Sequence, residues 1–331
     1  MESLPKISII VPILNEERYI GKVLESIVDS DYDKKRMEVF LVDGGSSDKT
    51  VEIVKEYQKR YPFFKLLHNP NKTAPYAMNL GIKAAREEYI VRLDAHAEYP
   101  KDYLSKLIHY HDKLQADNVG GVVLTEVRNK TATANAIKNV LSDKLGVGSA
   151  FRSGAKKIQE VDTVPFGCYK KEVFEKIGLY NECLTRNQDI ELNKRLKKAG
   201  GKIFLVPDIE AIYYARESFK ELAKNNFQNG KWNMLTAYYT NSFSSLSLRH
   251  YIPLFFVSSI VLPLFCCYEI SLAIAILYIT IITLRSLMIK QRTTLLHQIT
   301  AFTVLHFSYG IGEIVGMISV IKKRFDCGKR K

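Results

Sequence analysis

Short apolar runs alternate with amphipathic segments over the first 125 residues of the chain. Runs rich in Val, Ile and Leu predict buried strands, and apolar residues three or four positions apart predict helices. Five strands are predicted, at 7–12, 37–43, 64–68, 89–93 and 118–124. Helices are predicted between them, at 17–28, from about residue 48, at 74–86 and after Pro100. This alternation indicates an α/β fold with a mostly parallel sheet flanked by helices.

The pattern is less regular from residue 126 to residue 165. A polar stretch and a cluster of Gly and Ser between 146 and 154 are typical of a mobile substrate loop rather than of a core element. Helix patterns resume at 170–177 and 188–199, a strand is predicted at 202–206, and a long amphipathic helix at about 217–240. Residues 1–240 are therefore predicted to form one large domain.

The composition changes sharply at Tyr251. Residues 251–268 and 270–284 contain no charged side chain. A third apolar run, at 293–321, has four polar interruptions, at His297, Gln298, His306 and Glu313. A spanning helix needs about 20 apolar residues, so the first two runs are somewhat short. We expect a membrane region at 241–331, with a hairpin that turns near Glu269 and an interfacial or re-entrant third segment; the number of crossings stays open.

The charge of the chain limits its partners. The net charge is +13 over 331 residues, and the part from Arg249 onward holds ten Lys or Arg and three Asp or Glu. This excess suits an anionic membrane surface and phosphate-bearing substrates. Nucleic acid is disfavoured because no basic helix, zinc finger or aromatic RNA-binding signature occurs. The five cysteines form no C-x-x-C pair, and no secretory signal is recognised, so we expect reduced thiols and a cytosolic domain.

An aspartate and a histidine follow the strand predicted at 89–93. Asp94 and His96 stand at its carboxyl end, the edge where open α/β sheets bind ligands. A carboxylate and an imidazole two residues apart can hold one divalent cation, and the oxygen ligand favours Mg2+ or Mn2+. The alternative is a polar turn after a strand. No glycine-rich phosphate loop occurs, so a diphosphate would depend on this cation and on basic side chains such as Lys72.

Two more predicted strands end in polar residues. Asn15 and Glu16 follow the first strand, and Asp43 ends the second. Both places have a simpler interpretation, because Asn15-Glu16 could be only a helix start and Gly-Gly-Ser-Ser after Asp43 predicts a tight turn into a capped helix. Since these strand ends share one edge of the sheet, we predict that Asp43 contacts the base or ribose of a nucleotide and that Asn15 and Glu16 lie beside it.

A third acidic position starts the helix predicted at 188–199. Acidic residues suit a helix N-terminus, which is the structural interpretation. The functional interpretation makes Asp189 a general base that removes a proton from an acceptor hydroxyl. Glu191 is two residues further on and would point elsewhere, so Asp189 is preferred.

Six short motifs stand along the first 240 residues. They are VPILNE at 11–16, VDGGSSD at 42–48, AMNLGI at 77–82, DAH at 94–96, QD at 188–189 and QNGKW at 228–232. In this order they resemble the family 2 inverting glycosyltransferases over about residues 6–240, which implies a GT-A fold. DAH in place of D-x-D is similar to the succinoglycan-type exopolysaccharide subgroup, as is a catalytic domain followed by membrane segments.

The resemblance implies a role for individual residues. The expected nucleotide-sugar-binding residues are Pro12, Asn15, Glu16, Asp43, Lys72 and Asp94. Asp94 and His96 would serve the diphosphate and its metal ion, and Asp189 matches the catalytic base. The residues expected on the acceptor or product side are Gly167, Gln188, Gln228, Lys231 and Trp232.

Two positions depart from the family pattern. Gln188 replaces the acidic residue that often precedes the base, and Lys231 stands where Q-x-x-R-W has arginine. Lysine keeps the charge but loses the bidentate fork, which disfavours long processive synthesis. Trp232 could be a platform for the acceptor sugar or an anchor at the membrane interface.

The residues together with the family resemblance therefore imply a metal-dependent, inverting hexosyltransferase in the cytoplasmic membrane, multi-pass and with a cytosolic catalytic domain. It would move a sugar from a UDP-sugar to a lipid-linked or glycan acceptor in bacterial exopolysaccharide, capsule or cell-surface glycan synthesis, beside other polysaccharide-assembly proteins. One alternative is a processive polysaccharide synthase, against which the short membrane region argues. Another is a catalytically silent membrane scaffold that binds nucleotide sugar, against which Asp94, His96 and Asp189 argue.

Overall fold

A computed structural model describes residues 4–152, 154–289 and 295–328, with side chains described up to residue 323. The basic break at 290–292 and the end of the basic tail at 329–331 lie outside the described residues. Two compact units are present, one of Met1–Leu124 with Ala150–Tyr214 and one of Thr125–Ser149 with Ala215–Lys331. The functional boundary expected at residue 240 stays a prediction.

The first unit is built on a nine-stranded sheet. Its strands are β1 (Ile7–Ile13), β2 (Met37–Asp43), β3 (Phe64–His68), β4 (Tyr89–Arg92), β5 (Ala97–Glu98), β6 (Asn118–Glu126), β7 (Gln159–Glu160), β8 (Cys168–Lys170) and β9 (Ile203–Tyr214). The order is β3-β2-β1-β4-β8-β6-β9-β5, with β7 on β9. The first four strands pair in parallel. All five strands predicted in the first 125 residues are confirmed.

The sheet is mixed rather than mostly parallel. Strand β8 runs antiparallel to both β4 and β6, and β9 runs antiparallel to β5 and β7. The sequence did not predict β5, β7 and β8, because two or three residues are too few to show an alternating pattern. The predicted α/β class is confirmed, with its parallel part restricted to β1–β4.

Helices cover both faces of the parallel strands. They are α1 (Ile20–Val28), α2 (Thr50–Arg60), α3 (Ala74–Ala84), α4 (Tyr103–Leu114), α6 (Lys171–Ile177) and α7 (Gln188–Lys198), with a 3-10 turn at Lys34–Arg36. Alternate residues of β1 enter opposite layers: Ile9 packs in the layer that includes α1 and α4, and Ile10 in the layer that includes α3 and α7. Burial on both faces explains why the strands are continuous apolar runs.

The second unit is helical. Its α-helices are α5 (Ala132–Leu141), α8 (Phe219–Tyr239), α9 (Ile252–Val261), α10 (Tyr268–Met288) and α11 (Leu295–Gly328). Three 3-10 turns, at Phe243–Ser245, Leu248–Tyr251 and Leu262–Phe265, flank α9. The prediction of a mobile loop is wrong for α5, where Thr131 caps the N-terminus by accepting a hydrogen bond from Ala134 N (3.1 Å) and Ile137 and Val140 are fully buried.

All three predicted apolar runs form helices, the third described from Leu295 onward. Leu248–Phe265, Tyr268–Met288 and Leu295–Lys323 are each long and apolar enough to cross a membrane. The 3-10 turn Leu262–Phe265, which contains Pro263, ends the first of them before Glu269, which lies in the first turn of α10. This agrees with a hairpin that turns near Glu269, whereas length and composition leave the number of crossings open.

Candidate active site

A pocket opens at the carboxyl ends of β1 and β4, within the first unit. Its volume is about 240 Å3. The lining consists of strand-end residues and the segment before α3: Pro12, Ile13, Leu14, Glu16, Val42, Asn69, Lys72, Thr73, Ala74, Ala77, Arg92, Asp94, Ala95 and His96. Parallel strands bring their carboxyl ends to one edge, so residues far apart in sequence meet here. The pocket includes five of the predicted site residues: Pro12, Glu16, Lys72, Asp94 and His96.

An arginine that the sequence analysis did not select joins the two predicted reaction centres. Arg92 is the last residue of β4, and its side chain is only 10% exposed. Its Nε and Nη2 both contact Asp94 Oδ1 at 3.0 Å, and its Nη1 donates to Asp189 Oδ1. Burial alone would lower the pKa of Arg92, but Asp189 and Asp94 raise it above the ordinary value. One permanent positive charge is therefore shared by two carboxylates.

Asp189 is held at the start of α7. Asn187 precedes the helix in a left-handed conformation (φ 61°), which places Asp189 in the first turn beside Arg92. Burial raises the pKa of Asp189 above its ordinary value, Arg92 opposes that rise, and the neighbouring Asp94 adds to it. A carboxylate with a raised pKa is a better proton acceptor than an ordinary aspartate.

The alternative base, Glu191, is engaged elsewhere. Its carboxylate accepts hydrogen bonds from Arg195 Nε (2.7 Å) and Nη2 (3.0 Å), and the residue is 5% exposed. Arg195 also donates to the carbonyl of Leu179 (2.7 Å), which ties α7 to the segment after α6. We therefore assign Glu191 to helix packing.

Asp94 and His96 lie on the pocket wall. The backbone N–H of Asp94 donates to the Tyr99 hydroxyl (2.8 Å), which fixes the turn after β4. His96 Nδ1 lies 3.4 Å from Glu16 Oε1, and its ring meets Tyr213 edge-on at 5.7 Å. Among the residues described, no group of three His, Cys, Asp or Glu side chains could hold a metal ion. Two protein ligands still fit a cation such as Mg2+, which is commonly held by one or two side chains and substrate phosphates.

Two of the predicted nucleotide-side residues, Asp43 and Asn15, make hydrogen bonds to the turn after β2. The Asp43 carboxylate accepts hydrogen bonds from Gly45 N (3.0 Å), Ser46 N (3.1 Å) and Ser46 Oγ (2.6 Å), and Asp43 is 6% exposed. The Asn15 side chain accepts from Ser47 N (2.8 Å). Asp43 thus closes its own turn, and Asn15 joins the loop after β1 to that turn. Their contact with a nucleotide stays a prediction.

The N-terminus of α3 adds a feature that the sequence did not reveal. Thr73, Ala74 and Ala77 line the pocket, beside Lys72 in a left-handed conformation (φ 62°). The Thr73 hydroxyl is buried and has no hydrogen-bond partner in the described part of the chain. A helix N-terminus favours anions, so this corner suits a phosphate even without a glycine-rich loop.

The predicted acceptor-side residues fall in both units. Gly167 belongs to the first unit, where its carbonyl accepts from Arg92 N (3.1 Å) and a Cβ would collide with the Asn118 side chain. Gln188 is 8% exposed, and its Oε1 has no partner among the described residues. Gln228, Lys231 and Trp232 lie on α8 of the second unit, spaced so that they share one helix face.

Comparison with solved structures defines the class of fold. A mannosyltransferase from Pyrobaculum calidifontis, in complex with GDP-Man and Mn2+, superimposes with a TM-score of 0.60 at 16% identity, over 94% of this chain and 86% of that one. TarS 1–349 from S. aureus, in complex with UDP-GlcNAc, gives a TM-score of 0.53 at 16% identity, over 93% and 90% of the two chains. The fold is that of the GT-A glycosyltransferases.

Sequence relatives identify the family. The model for glycosyl transferase family 2 matches residues 8–178. A dolichyl N-acetyl-alpha-D-glucosaminyl phosphate 3-beta-D-2,3-diacetamido-2,3-dideoxy-beta-D-glucuronosyltransferase of Methanococcus voltae is 34% identical over 68% of this chain and 71% of its own length. The succinoglycan biosynthesis protein ExoA of Rhizobium meliloti is 30% identical over 67% of each chain. The chain belongs to glycosyl transferase family 2, and the predicted resemblance to the succinoglycan type is confirmed.

Proposed function

We propose that this protein transfers a sugar from a UDP-sugar to a lipid-linked saccharide by a single displacement with inversion at the anomeric carbon. The observation that carries the proposal is the shared contact of Arg92 with Asp94 and Asp189 at the pocket. Through this contact Asp189, whose pKa is raised, is separated only by the Arg92 side chain from Asp94 on the pocket wall. That is the arrangement a reaction needs when a proton leaves an acceptor at one side and a diphosphate leaves a sugar at the other.

Each side chain has one task in this mechanism. The α3 N-terminus, Thr73 and Lys72 bind the diphosphate, because they offer donors and positive charge at one wall of the pocket. Asp189 accepts the proton of the acceptor hydroxyl while that oxygen attacks the anomeric carbon. Arg92 remains charged throughout and so holds both carboxylates in place. UDP then departs with the electron pair of the broken glycosidic bond.

Asp94 and His96 would hold a divalent cation, Mn2+ or Mg2+, in this scheme. When bound, the ion would neutralise charge on the departing diphosphate. Both contacts from Arg92 fall on the same oxygen of Asp94, Oδ1. Arg92 thus orients Asp94 through Oδ1, and these contacts leave Asp94 Oδ2 for the cation. The Mn2+ bound in the Pyrobaculum relative's structure supports use of such an ion within the fold.

The membrane region and the relatives support the choice of acceptor. The Methanococcus relative is named for a dolichyl-phosphate-linked sugar, which is a lipid-linked saccharide. This chain carries three apolar helices that could cross a membrane. We place the protein in the cytoplasmic membrane, with the first unit on the cytosolic side, where it would act in surface-glycan synthesis.

The experiment is a UDP-release assay on the full chain in membranes. A panel of UDP-sugars is tested with and without an extracted lipid-linked saccharide fraction, in Mn2+ and in chelator. We expect UDP release that needs both the lipid fraction and the ion. UDP-sugar binding without turnover under every condition would support the silent scaffold instead. Long polymeric products would support a processive synthase.

A further inference from the structure

Helices α8 and α11 of the second unit lie side by side and run in the same direction. Contacts between them follow in sequence order, as Phe219–His297, Gly230–Tyr309, Asn233–Glu313 and Tyr239–Lys323. The helices approach closely because Gly230 has no room for a Cβ against the carbonyl of Tyr309, and Gly316 has none against that of Lys231. The contacts extend over nearly the whole of α8, so the two helices form one unit.

The polar interruptions of the third apolar run face protein. Glu313 is 0% exposed and accepts a hydrogen bond from Asn233 Nδ2 (3.0 Å). Gln298 is also fully buried, and His306 Nε2 lies 2.9 Å from the carbonyl of Leu145, after α5. The polar residues that interrupt an otherwise apolar segment therefore serve its packing against α8 and against the segment after α5.

The opposite face of α11 is apolar and exposed. It carries an apolar strip of four side chains, Ile311 (44%), Met317 (38%), Ile318 (61%) and Ile321 (54%). At 100° per residue these positions fall within one face of the helix. Lys322 and Lys323 follow the strip directly and end the apolar run. An apolar face next to basic residues is typical of helices that lie in a membrane interface.

Helix α8 could not accompany α11 through a bilayer. Lys220, Glu221 and Lys224 are exposed on α8. If α11 crossed, these charges would enter the hydrocarbon beside it, at a high cost in free energy. At the other end of α8, Trp232 stacks with Tyr239 (6.4 Å), and Lys323 donates to the Tyr239 hydroxyl (2.8 Å). Trp, Tyr and Lys are the residues that gather at membrane interfaces.

We infer that α11 does not cross the membrane but lies along its surface, with the apolar strip in the acyl boundary and α8 on the aqueous side. The occupant of the strip is an anionic lipid surface, which the basic residues of both helices complement. Length and composition alone would make α11 a third crossing. We assign α11 to the membrane interface because it pairs with α8, which carries exposed charges.

This placement has a consequence that rests on the proposed function. Gln228, Lys231 and Trp232 on α8 would stand at headgroup depth, where a lipid-linked saccharide carries its sugar. The docking of α11 itself does not depend on that function, so the two ideas can fail separately.

The test measures membrane depth along α11. Single cysteines replace Ile311, Met317, Ile318 and Ile321 in the full chain, after the native cysteines have been replaced. Each variant is labelled with a fluorophore in phosphatidylcholine–phosphatidylglycerol vesicles and quenched by lipids that carry nitroxides at graded depths. We expect one shallow depth for all four positions. A crossing helix would change depth by about 15 Å between positions 311 and 321, at 1.5 Å per residue.

A matched position on α8 completes the test. Lys224→Cys should be quenched by an aqueous reagent and not by deep nitroxides, because α8 faces water. A steady depth gradient along 311–321, or deep quenching at 224, would overturn the inference. Aqueous quenching of all four α11 positions would overturn it as well, since the strip would then touch no lipid. Circular dichroism of each variant checks that the helices remain folded.

Discussion

Each compact unit contains a carboxylate held by a polar partner, and the two carboxylates differ in their exposure to solvent. In the first unit, Asp189 binds Arg92 and its side chain is 37% exposed beside the pocket. In the second, Glu313 receives a hydrogen bond from Asn233 and is 0% exposed between α8 and α11. The first carboxylate is therefore open to solvent, and the second is enclosed by the two helices. A buried acid therefore indicates chemistry only where a cavity and a second functional group reach it.

The two clusters also differ in charge. The first joins the Asp94 and Asp189 carboxylates to the Arg92 guanidinium. Removing any one of these groups therefore changes the charge around the other two. The second joins a carboxyl, an amide and the Tyr309 hydroxyl, which is 3.0 Å from Asn233 Nδ2. Replacing an acid by its amide should therefore be severe in the first cluster and mild in the second.

The largest effect is expected from Asp94→Ala. This change removes a pocket carboxylate that we assign to the cation, so turnover should be abolished in Mn2+ and in Mg2+. UDP release by the full chain in membranes is the measurement. His96→Asp serves as a companion, since aspartate can still bind a cation and should retain part of the activity with an altered metal preference. Full activity of Asp94→Ala in chelator would contradict the metal assignment.

Asp189→Asn should lower kcat by at least about 10²-fold, the lower range for loss of a general base. Asparagine keeps the shape and the hydrogen bond to Arg92 but cannot take the proton. Calorimetric binding of the UDP-sugar, measured beside kcat, should change little. If donor binding falls as much as kcat does, Asp189 has a donor-side or structural role.

Arg92→Gln should move the pH dependence of kcat/KM. Only ionised Asp189 accepts a proton, and its pKa is raised by burial and lowered by Arg92. Wild-type activity should therefore fall on acidification at a higher pH than an ordinary aspartate would give. Loss of the guanidinium should move that acidic limb to still higher pH, whereas Arg92→Lys keeps the charge and should move it less. An unchanged acidic limb in Arg92→Gln would show that Arg92 does not set the pKa of the catalytic base.

Glu313→Gln is the matched control and should have the smallest effect. The amide can still accept from Asn233, so kcat should stay within about twofold, because a neutral hydrogen bond contributes only about 1 kcal/mol. Glu313→Leu removes the hydrogen bond between the two helices altogether and should lower thermal stability more than Glu313→Gln does. A loss of kcat in Glu313→Gln comparable to that in Asp189→Asn would break the comparison between the clusters.

Sequence reasoning succeeded where one physical signal dominated. Strands buried on both faces are continuous apolar runs, so β1–β4 were predicted almost to the residue. It failed for α5, because a Gly- and Ser-rich stretch follows it and its packing partners come much later in the chain. It missed Arg92 because an arginine inside a strand pattern does not show that two acids from other segments will meet it.

The site shows the same limit. Strand ends predicted that Asp94, His96 and Glu16 share an edge, and the pocket contains all three. Asp189 was selected from its motif, but its contact with Arg92 required the folded chain. Asp43 is bonded within its own turn and Asn15 is bonded to Ser47 of that turn, so sequence alone could not separate a structural from a nucleotide-binding role.

The central claim is an inverting transfer that uses Asp189 as the base, and the configuration of the product tests it most directly. The full chain is supplied with a UDP-sugar whose sugar is α-linked and with the lipid-linked saccharide fraction. The product's anomeric signal is then read by proton NMR. We expect a β-linked sugar in the product, formed in one displacement. An α-linked product would contradict it, because retention needs a different mechanism from the one that Asp189, Arg92 and Asp94 provide.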